Sequence, residues 1–146
     1  MANTATPRGG RHTGWFRDEV NNRLDVYHEG EKVASYSGDR GSVTQITNRS
    51  TGVTVNALSG TITGDATSLA AEATATFTVT NSAVAIGDVV AISVRSGPTS
   101  GATSFRVTAV AAGSFDISAT NNNLAAGTAD TGAPVINFVV LKCPVS

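Results

Sequence analysis

From Ser42 onward, apolar and polar residues alternate with a period of two, and clusters of Gly, Asn, Ser and Pro interrupt the alternation. In a strand, successive side chains point to opposite faces, so this pattern describes half-buried ribbons. In Ala75-Thr76-Phe77-Thr78-Val79-Thr80 it sends Ala75, Phe77 and Val79 inward, and Ser104-Phe105-Arg106-Val107-Thr108-Ala109-Val110 repeats the logic. Ile136-Asn137-Phe138-Val139-Val140-Leu141 is more continuously apolar, as expected of a central strand covered on both faces. The pattern predicts strands over 43–48, 52–56, 60–63, 73–81, 88–95, 103–111, 114–118 and 135–141, with a tight hairpin at Ala112-Gly113-Ser114. No stretch carries a capped helical stripe, and Leu69-Ala70-Ala71-Glu72-Ala73 has room for one turn at most. The expected fold is all-β, a sandwich or jelly-roll-like body whose strand order the pattern leaves open.

Upstream the pattern is different. Trp15, Tyr27, Tyr36, His12, His28 and 10 of the 21 charged residues precede Gly38-Asp39-Arg40-Gly41. This shift divides the chain into an N-terminal arm, 1–40, and a body, 41–146. Within the arm, residues 1–14 are polar and contain Gly, which predicts flexibility in isolation. Residues 23–36 read as a β-hairpin: Leu24, Val26 and His28 alternate with Asp25 and Tyr27, Glu29-Gly30 supplies the turn, and Val33 and Ser35 alternate with Ala34 and Tyr36. A lone two-stranded hairpin is marginal in water, so it must pack on its own body, a sister subunit or a partner lattice. Trp15-Phe16 suits either a core anchor or a plug into a partner's pocket. Trp15, Phe16, Arg17, Arg23, Tyr27 and Tyr36 are therefore the candidate protein-contact residues. Arg8, Arg11, Arg17 and Arg23 are offset by Asp18, Glu19 and Asp25, a mixture that suits protein–protein register better than nucleic acid.

Composition sharpens this picture. In 146 residues there is room for one compact domain plus an arm. The apolar share of 40% is largely Ala and Val, aromatics are 5%, and charged residues are 14%, well below the roughly 25% of an ordinary domain. Thr, Ser, Asn and Gly fill the surface, and threonine combines a branched shape that suits a pleated sheet with a hydroxyl that water accepts. The formal net charge of −1 lacks the basic excess that a nucleic-acid or anionic-membrane partner would demand. No apolar run approaches the ~18 residues of a membrane span. Residues 1–11 carry Arg with no apolar stretch behind them, so the expectation is no secretory signal and synthesis in a cytoplasm. Lysines guard strand edges, yet only Lys32 and Lys142 occur. Edges covered by oligomerisation would explain this, as would a closed sandwich with short edges.

The chain offers no catalytic constellation. Both histidines sit in the arm, no G-x-S-x-G occurs, and Gly97-Pro98-Thr99-Ser100-Gly101 reads as a turn cluster. Neither lysine follows a glycine-rich phosphate loop. Two His and one Cys do not make a zinc site, and Cys143 alone makes no disulfide framework and reads as a small, partly buried side chain. Asp65, Glu72, Asp88, Asp116 and Asp130 stand singly near turns; solvated turn caps are the reading preferred over calcium ligands or a paired-acid hydrolase. Asn48-Arg49-Ser50 fits a glycosylation acceptor, a short pattern that carries little weight here. The expectation is no enzyme, no cofactor and no metal.

Two stretches carry a family resemblance. One is Val43-Thr44-Gln45-Ile46-Thr47-Asn48-Arg49-Ser50-Thr51-Gly52-Val53-Thr54-Val55-Asn56 with Gly60-Thr61-Ile62-Thr63. The other comprises Phe77-Thr78-Val79-Thr80-Asn81-Ser82, Asp88-Val89-Val90, Ala109-Val110-Ala111-Ala112-Gly113-Ser114-Phe115 and Ile136-Asn137-Phe138-Val139-Val140-Leu141-Lys142. Taken in order they resemble a module recurrent in tailed-bacteriophage proteins, similar to head decoration (capsid cement) proteins. The resemblance covers about 41–142. It implies a β-sandwich that assembles as a homotrimer on the capsid exterior and binds the major capsid protein, with no catalytic residues to transfer. Related modules in fibres and spikes make host-glycan binding the alternative. The arm falls outside the matched region.

Overall fold

The computed structural model describes residues 13–19, 23–36, 40–99 and 101–143. Among the described residues the chain is all-β and has no helix: β1 (Gly14–Asp18), β2 (Arg23–His28), β3 (Glu31–Tyr36), β4 (Arg40–Thr44), β5 (Val53–Thr54), β6 (Ser59–Thr63), β7 (Thr74–Thr80), β8 (Val89–Ser96), β9 (Thr103–Ala111), β10 (Ser114–Asn121) and β11 (Val135–Leu141). The body is a sandwich of two four-stranded sheets, ordered β4-β6-β11-β8 and β5-β7-β10-β9. A separate three-stranded sheet, β1-β2-β3, forms the arm.

Between strands the body chain usually crosses to the other sheet; β9 and β10 form the one hairpin between consecutive body strands. This crossing is why β4 runs parallel to β6 and β5 parallel to β7, while the other body pairs are antiparallel. A parallel pair needs an intervening crossover, and the visit to the opposite sheet provides it.

The alternation seen in the sequence is what closes the core. Ile62, Val90, Ile136, Phe138 and Val140 face Val53, Phe77, Val79, Phe115 and Ile117 from the other sheet, all buried. The rings of Phe115 and Phe138 meet across the interior with centroids 5.7 Å apart. Gly60 is required where β4, β6 and β11 converge: a Cβ there would lie 2.5 Å from the Gly41 carbonyl oxygen and 2.6 Å from the Phe138 ring.

Several expectations hold in detail, including the spans of β9 and β11, the Gly113 hairpin with its φ of 80°, and the arm hairpin with its turn at Glu29-Gly30. Those two turn residues have φ of 50° and 88°, the left-handed values that a tight two-residue hairpin turn uses. Other expectations need correction. Gly14–Asp18 is a strand paired with β2, so the hairpin has a third member, and the flexible segment expected over 1–14 lies, up to residue 12, outside the described residues. The strand expected over 43–48 is β4, over 40–44, because Asn48 closes a turn instead: its carboxamide oxygen accepts from the Ser50 amide at 2.8 Å and its carbonyl from the Thr51 amide at 3.0 Å. β5 keeps two residues, whereas β10 runs on to Asn121 because Ala119 and Thr120 stay in register with Ala75 and Thr74. β11 is central but not covered on both faces: Ile136, Phe138 and Val140 are buried, Val135, Asn137 and Val139 are half-buried, and Leu141 is exposed.

Gly60→Ala should lower stability by about 1–3 kcal/mol, because backbone and a core ring oppose the new methyl. Gly101→Ala, which meets nothing within 4 Å, should stay within about 0.5 kcal/mol. Denaturant midpoints of the two variants check this, and equal midpoints would contradict the close approach at Gly60.

Candidate protein-docking surface

The arm sheet separates the two neighbouring aromatics. Phe16 stacks edge-on against Tyr27, with centroids 5.5 Å apart and planes at 83°. Asp25 lies opposite Phe16 in the ladder, is buried, and pairs with Lys32 Nζ at 2.8 Å. Trp15, one residue earlier in the strand, emerges on the opposite face and is 66% exposed. Phe16 and Tyr27 thus anchor the arm on itself, whereas Trp15 and Arg17 are presented outward. Arg23 opens β2 opposite Asp18, and Tyr36 closes β3 opposite Leu24; the side chains of both lie outside the described set.

The arm joins the body at the end of β11. The Lys142 amide donates to the Val33 carbonyl of β3 at 3.1 Å. The Lys142 side chain turns into the body, where its ammonium donates to the Asp88 carboxylate and, at 2.9 Å, to the Ala83 carbonyl. Asp88 also accepts from the Ala85 amide at 2.7 Å and the Cys143 amide at 3.1 Å. One buried carboxylate therefore holds the loop before β8, the end of β11 and, through Lys142, the strand that contacts the arm. Burial pushes the Asp88 pKa up, but the Lys142 hydrogen bond and the two amides outweigh it and leave it below the ordinary carboxylate value.

A second buried pair closes the other end of the sandwich. Arg49 donates to the Asp130 carbonyl at 3.0 Å, to the Gly132 carbonyl at 2.9 Å and to the Thr67 carbonyl, and its guanidinium lies 3.6 Å from the Asp130 carboxylate. Asp130 accepts from the amides of Thr99 and Gly132, each at 3.0 Å, and from the Thr99 hydroxyl at 3.1 Å. Its burial raises the pKa; the Thr103 hydroxyl, though outside full hydrogen-bond geometry, the two amides and the Thr99 hydroxyl lower it further than burial raises it. Asp88 and Asp130 are thus buried structural anchors, a correction to their reading as solvated turn caps. Asp65 does cap a turn, accepting from the Thr67 amide at 2.7 Å. Cys143 is exposed, another departure from the expected partial burial.

Both outer faces of the sandwich carry polar pairs across strands: on the β4-β6-β11-β8 sheet the Thr61 hydroxyl donates to the Asn137 carboxamide oxygen at 3.0 Å, and only the end of that sheet beside Lys142 is apolar. On the β5-β7-β10-β9 sheet, hydroxyls bond across strands: Thr74 with Thr120 at 2.9 Å, Thr76 with Ser118 at 2.7 Å, and Thr78 donating to the Asp116 carboxylate at 2.7 Å. On the other sheet Val89 stands opposite Leu141 and Ala91 opposite Val139. Val89 is 50% and Leu141 38% exposed, and Ile86, just upstream, is 63% exposed. These apolar side chains surround the Lys142 joint, so the body's apolar outer patch and the arm share one end of the molecule. Among the described residues no group of three or more His, Cys, Asp or Glu side chains is placed to hold a metal ion. No helix among them is long and apolar enough to cross a membrane. No protein-family model, curated protein or solved structure matches the chain.

Because both anchoring aspartates have folded pKa values below 3.8, the stability they contribute is present above the unfolded-state pKa and is lost as pH falls through the folded values. Urea midpoints should be level from about pH 7 to 5 and fall below about pH 4. Asp130→Asn should cost about 3 kcal/mol at neutral pH by stranding the buried Arg49 charge, and should flatten the acid limb. An unchanged acid limb in this variant would contradict the assignment.

Proposed function

We propose that the chain is a structural virion protein, a decoration (cement) protein that binds the outer surface of a tailed-bacteriophage capsid as a homotrimer and stabilises the shell. The observation that carries this reading is a group of exposed apolar side chains beside the joint between arm and body, Ile86, Val89 and Leu141, together with the exposed Trp15 on the arm. Docking surfaces are apolar at their centre, and tryptophan is the side chain most enriched among residues that dominate binding energy. The opposite outer face, with its hydroxyls paired to each other, is suited to remain in water. The resemblance of about residues 41–142 to decoration modules supports the same reading, and the family's trimeric assembly comes with it. The major capsid protein is the partner of the arm. Summed over a lattice, many modest contacts reinforce a shell through avidity.

Trp15 also supports the alternative of a fibre or spike component, since an exposed indole stacks well on a sugar ring. The two readings part on binding assays: glycan-array binding that depends on Trp15, without capsid binding, favours the fibre.

The purified chain should have a solution mass near three times 14.8 kDa and should bind parent-phage particles that lack it. Trp15→Ala should weaken that binding by at least about tenfold while leaving the fold and the trimer intact. Removing residues 1–39, which stops short of β4, should leave a folded body that no longer binds particles. Undiminished particle binding by either variant would refute the role of the arm.

A further inference from the structure

Among the described residues, three buried side-chain polar atoms have no hydrogen-bond partner from the protein: Arg49 Nη1, Thr103 Oγ1 and Asp130 Oδ2. All three belong to the end of the sandwich that the Arg49–Asp130 pair closes, where Thr103 opens β9 opposite Asn121. The side chains of Arg49 and Asp130 are 6% and 0% exposed. Bulk solvent therefore cannot supply the missing partners. Buried polar atoms are nearly always paired, with protein or with ordered water, so three exceptions gathered at one place call for a common cause.

The protein's own groups are already committed there. Arg49 Nε donates to the Thr67 carbonyl, and Nη2 donates to the carbonyls of Asp130 and Gly132. The Asp130 carbonyl also accepts from the Leu69 amide at 2.8 Å, which occupies its second lone pair. Asp130 Oδ1 takes the amides of Thr99 and Gly132 and the Thr99 hydroxyl, and that hydroxyl accepts in turn from the Thr131 amide at 2.9 Å. What remains is the far nitrogen of the guanidinium, the far oxygen of the carboxylate, and the Thr103 hydroxyl, which lies close enough to the carboxylate to help lower its pKa.

The two charged groups stand apart. Nη2 approaches Oδ1 to 3.6 Å, too long for a hydrogen bond, and Nη1 and Oδ2 make no direct bond either. The loops that carry them cannot draw closer. A Cβ on Gly132 would lie 1.8 Å from the Gly97 carbonyl oxygen, and one on Gly97 1.8 Å from that of Ala133, so backbone already meets backbone beside Asp130.

The electrostatics select what fits between them. The guanidinium repels a cation and the carboxylate repels an anion, which leaves a small neutral molecule that both donates and accepts. Water accepts from Arg49 Nη1, donates to Asp130 Oδ2 and shares a third bond with the Thr103 hydroxyl. An internal water typically makes about three such bonds, so a single molecule satisfies all three atoms.

We propose that Arg49 Nη1, Asp130 Oδ2 and Thr103 Oγ1 together hold one internal water molecule, a permanent part of the fold that completes the Arg49–Asp130 pair. The inference is independent of what the protein binds.

A high-resolution crystal structure of the full-length chain tests it directly. A fully occupied water peak within hydrogen-bond distance of all three atoms is expected. No peak there, or Arg49 Nη1 bonded directly to Asp130 Oδ2, overturns the proposal. In solution, oxygen-17 magnetic relaxation dispersion counts the waters that stay bound longer than the protein tumbles. The double variant Arg49→Met/Asp130→Leu removes both charges together and strands neither, and it should lose one long-lived water relative to wild type. Ile46→Ser, at an 85% exposed position on the loop that carries Arg49, should lose none. An unchanged count in the folded double variant overturns the proposal. If that variant does not fold, the wild-type crystal structure decides alone.

Discussion

A sandwich made from so few bulky side chains can fill the space between its sheets but cannot close its own ends with hydrophobic residues. Phe77, Phe115 and Phe138, with valines and isoleucines, occupy the interior. At the ends, loops cross the core and bring backbone groups that must find partners. Polar side chains supply them. Asn81, fully buried, donates to the Ala57 carbonyl at 2.7 Å and accepts from the Ala83 amide at 3.0 Å. Asn121, also fully buried, donates to the carbonyls of Leu69 and Thr128 at 3.0 Å each. Gln45 spans three strands of loop, donating to the Thr51 carbonyl at 2.8 Å and accepting from the Asp65 amide at 3.0 Å. The two ion pairs extend the same solution to longer distances. Since an unsatisfied buried polar group costs about 1–3 kcal/mol, each of these residues is as structural as a core phenylalanine.

This division of labour explains what the sequence disclosed. Period-two alternation is a local signal, and it located most of the body strands because each inward residue lies two positions from the next. β1 escaped because Gly14-Trp15-Phe16-Arg17-Asp18 places two large aromatics side by side, which conceals that they point to opposite faces. The end of β4 was misread because Gln45 and Ile46 continue the alternation on paper, although Gln45 is committed to capping a loop and Ile46 is left 85% exposed. The ion pairs were illegible for another reason: Asp88 meets Lys142 across 54 residues, and Arg49 meets the Asp130 carbonyl across 81. Nothing local distinguishes those aspartates from Asp65, which does cap a turn. The pairing is set by topology, which brings the start of β8 beside the end of β11. The candidate docking residues were legible in part: Trp15 was visible as a bulky aromatic, but the apolar patch of Val89 and Leu141 depends on the register of β8 against β11.

The apolar patch beside Lys142 differs from the polar pairs that cover the rest of the outer faces. Hydroxyls bonded to one another across strands have satisfied one another and gain little from a partner, whereas half-exposed valine and leucine gain from leaving water at roughly 25 cal/mol per Å².

Lys142 determines how firmly the arm can transmit load to the body. A three-stranded sheet needs a packed apolar face to be stable by itself, and its described contact with the body runs through β3 and the end of β11. At that point the backbone of Lys142 holds the arm while its side chain is held by Asp88, a carboxylate almost fully withdrawn from water. Coulombic attraction strengthens as water is excluded, so the grip lies where it is least screened by salt. A pull on the arm reaches β11, the central strand hydrogen-bonded to β6 and β8, rather than an edge. Force delivered to a central strand is shared by two ladders, so the arm is attached where the sheet is best able to carry load.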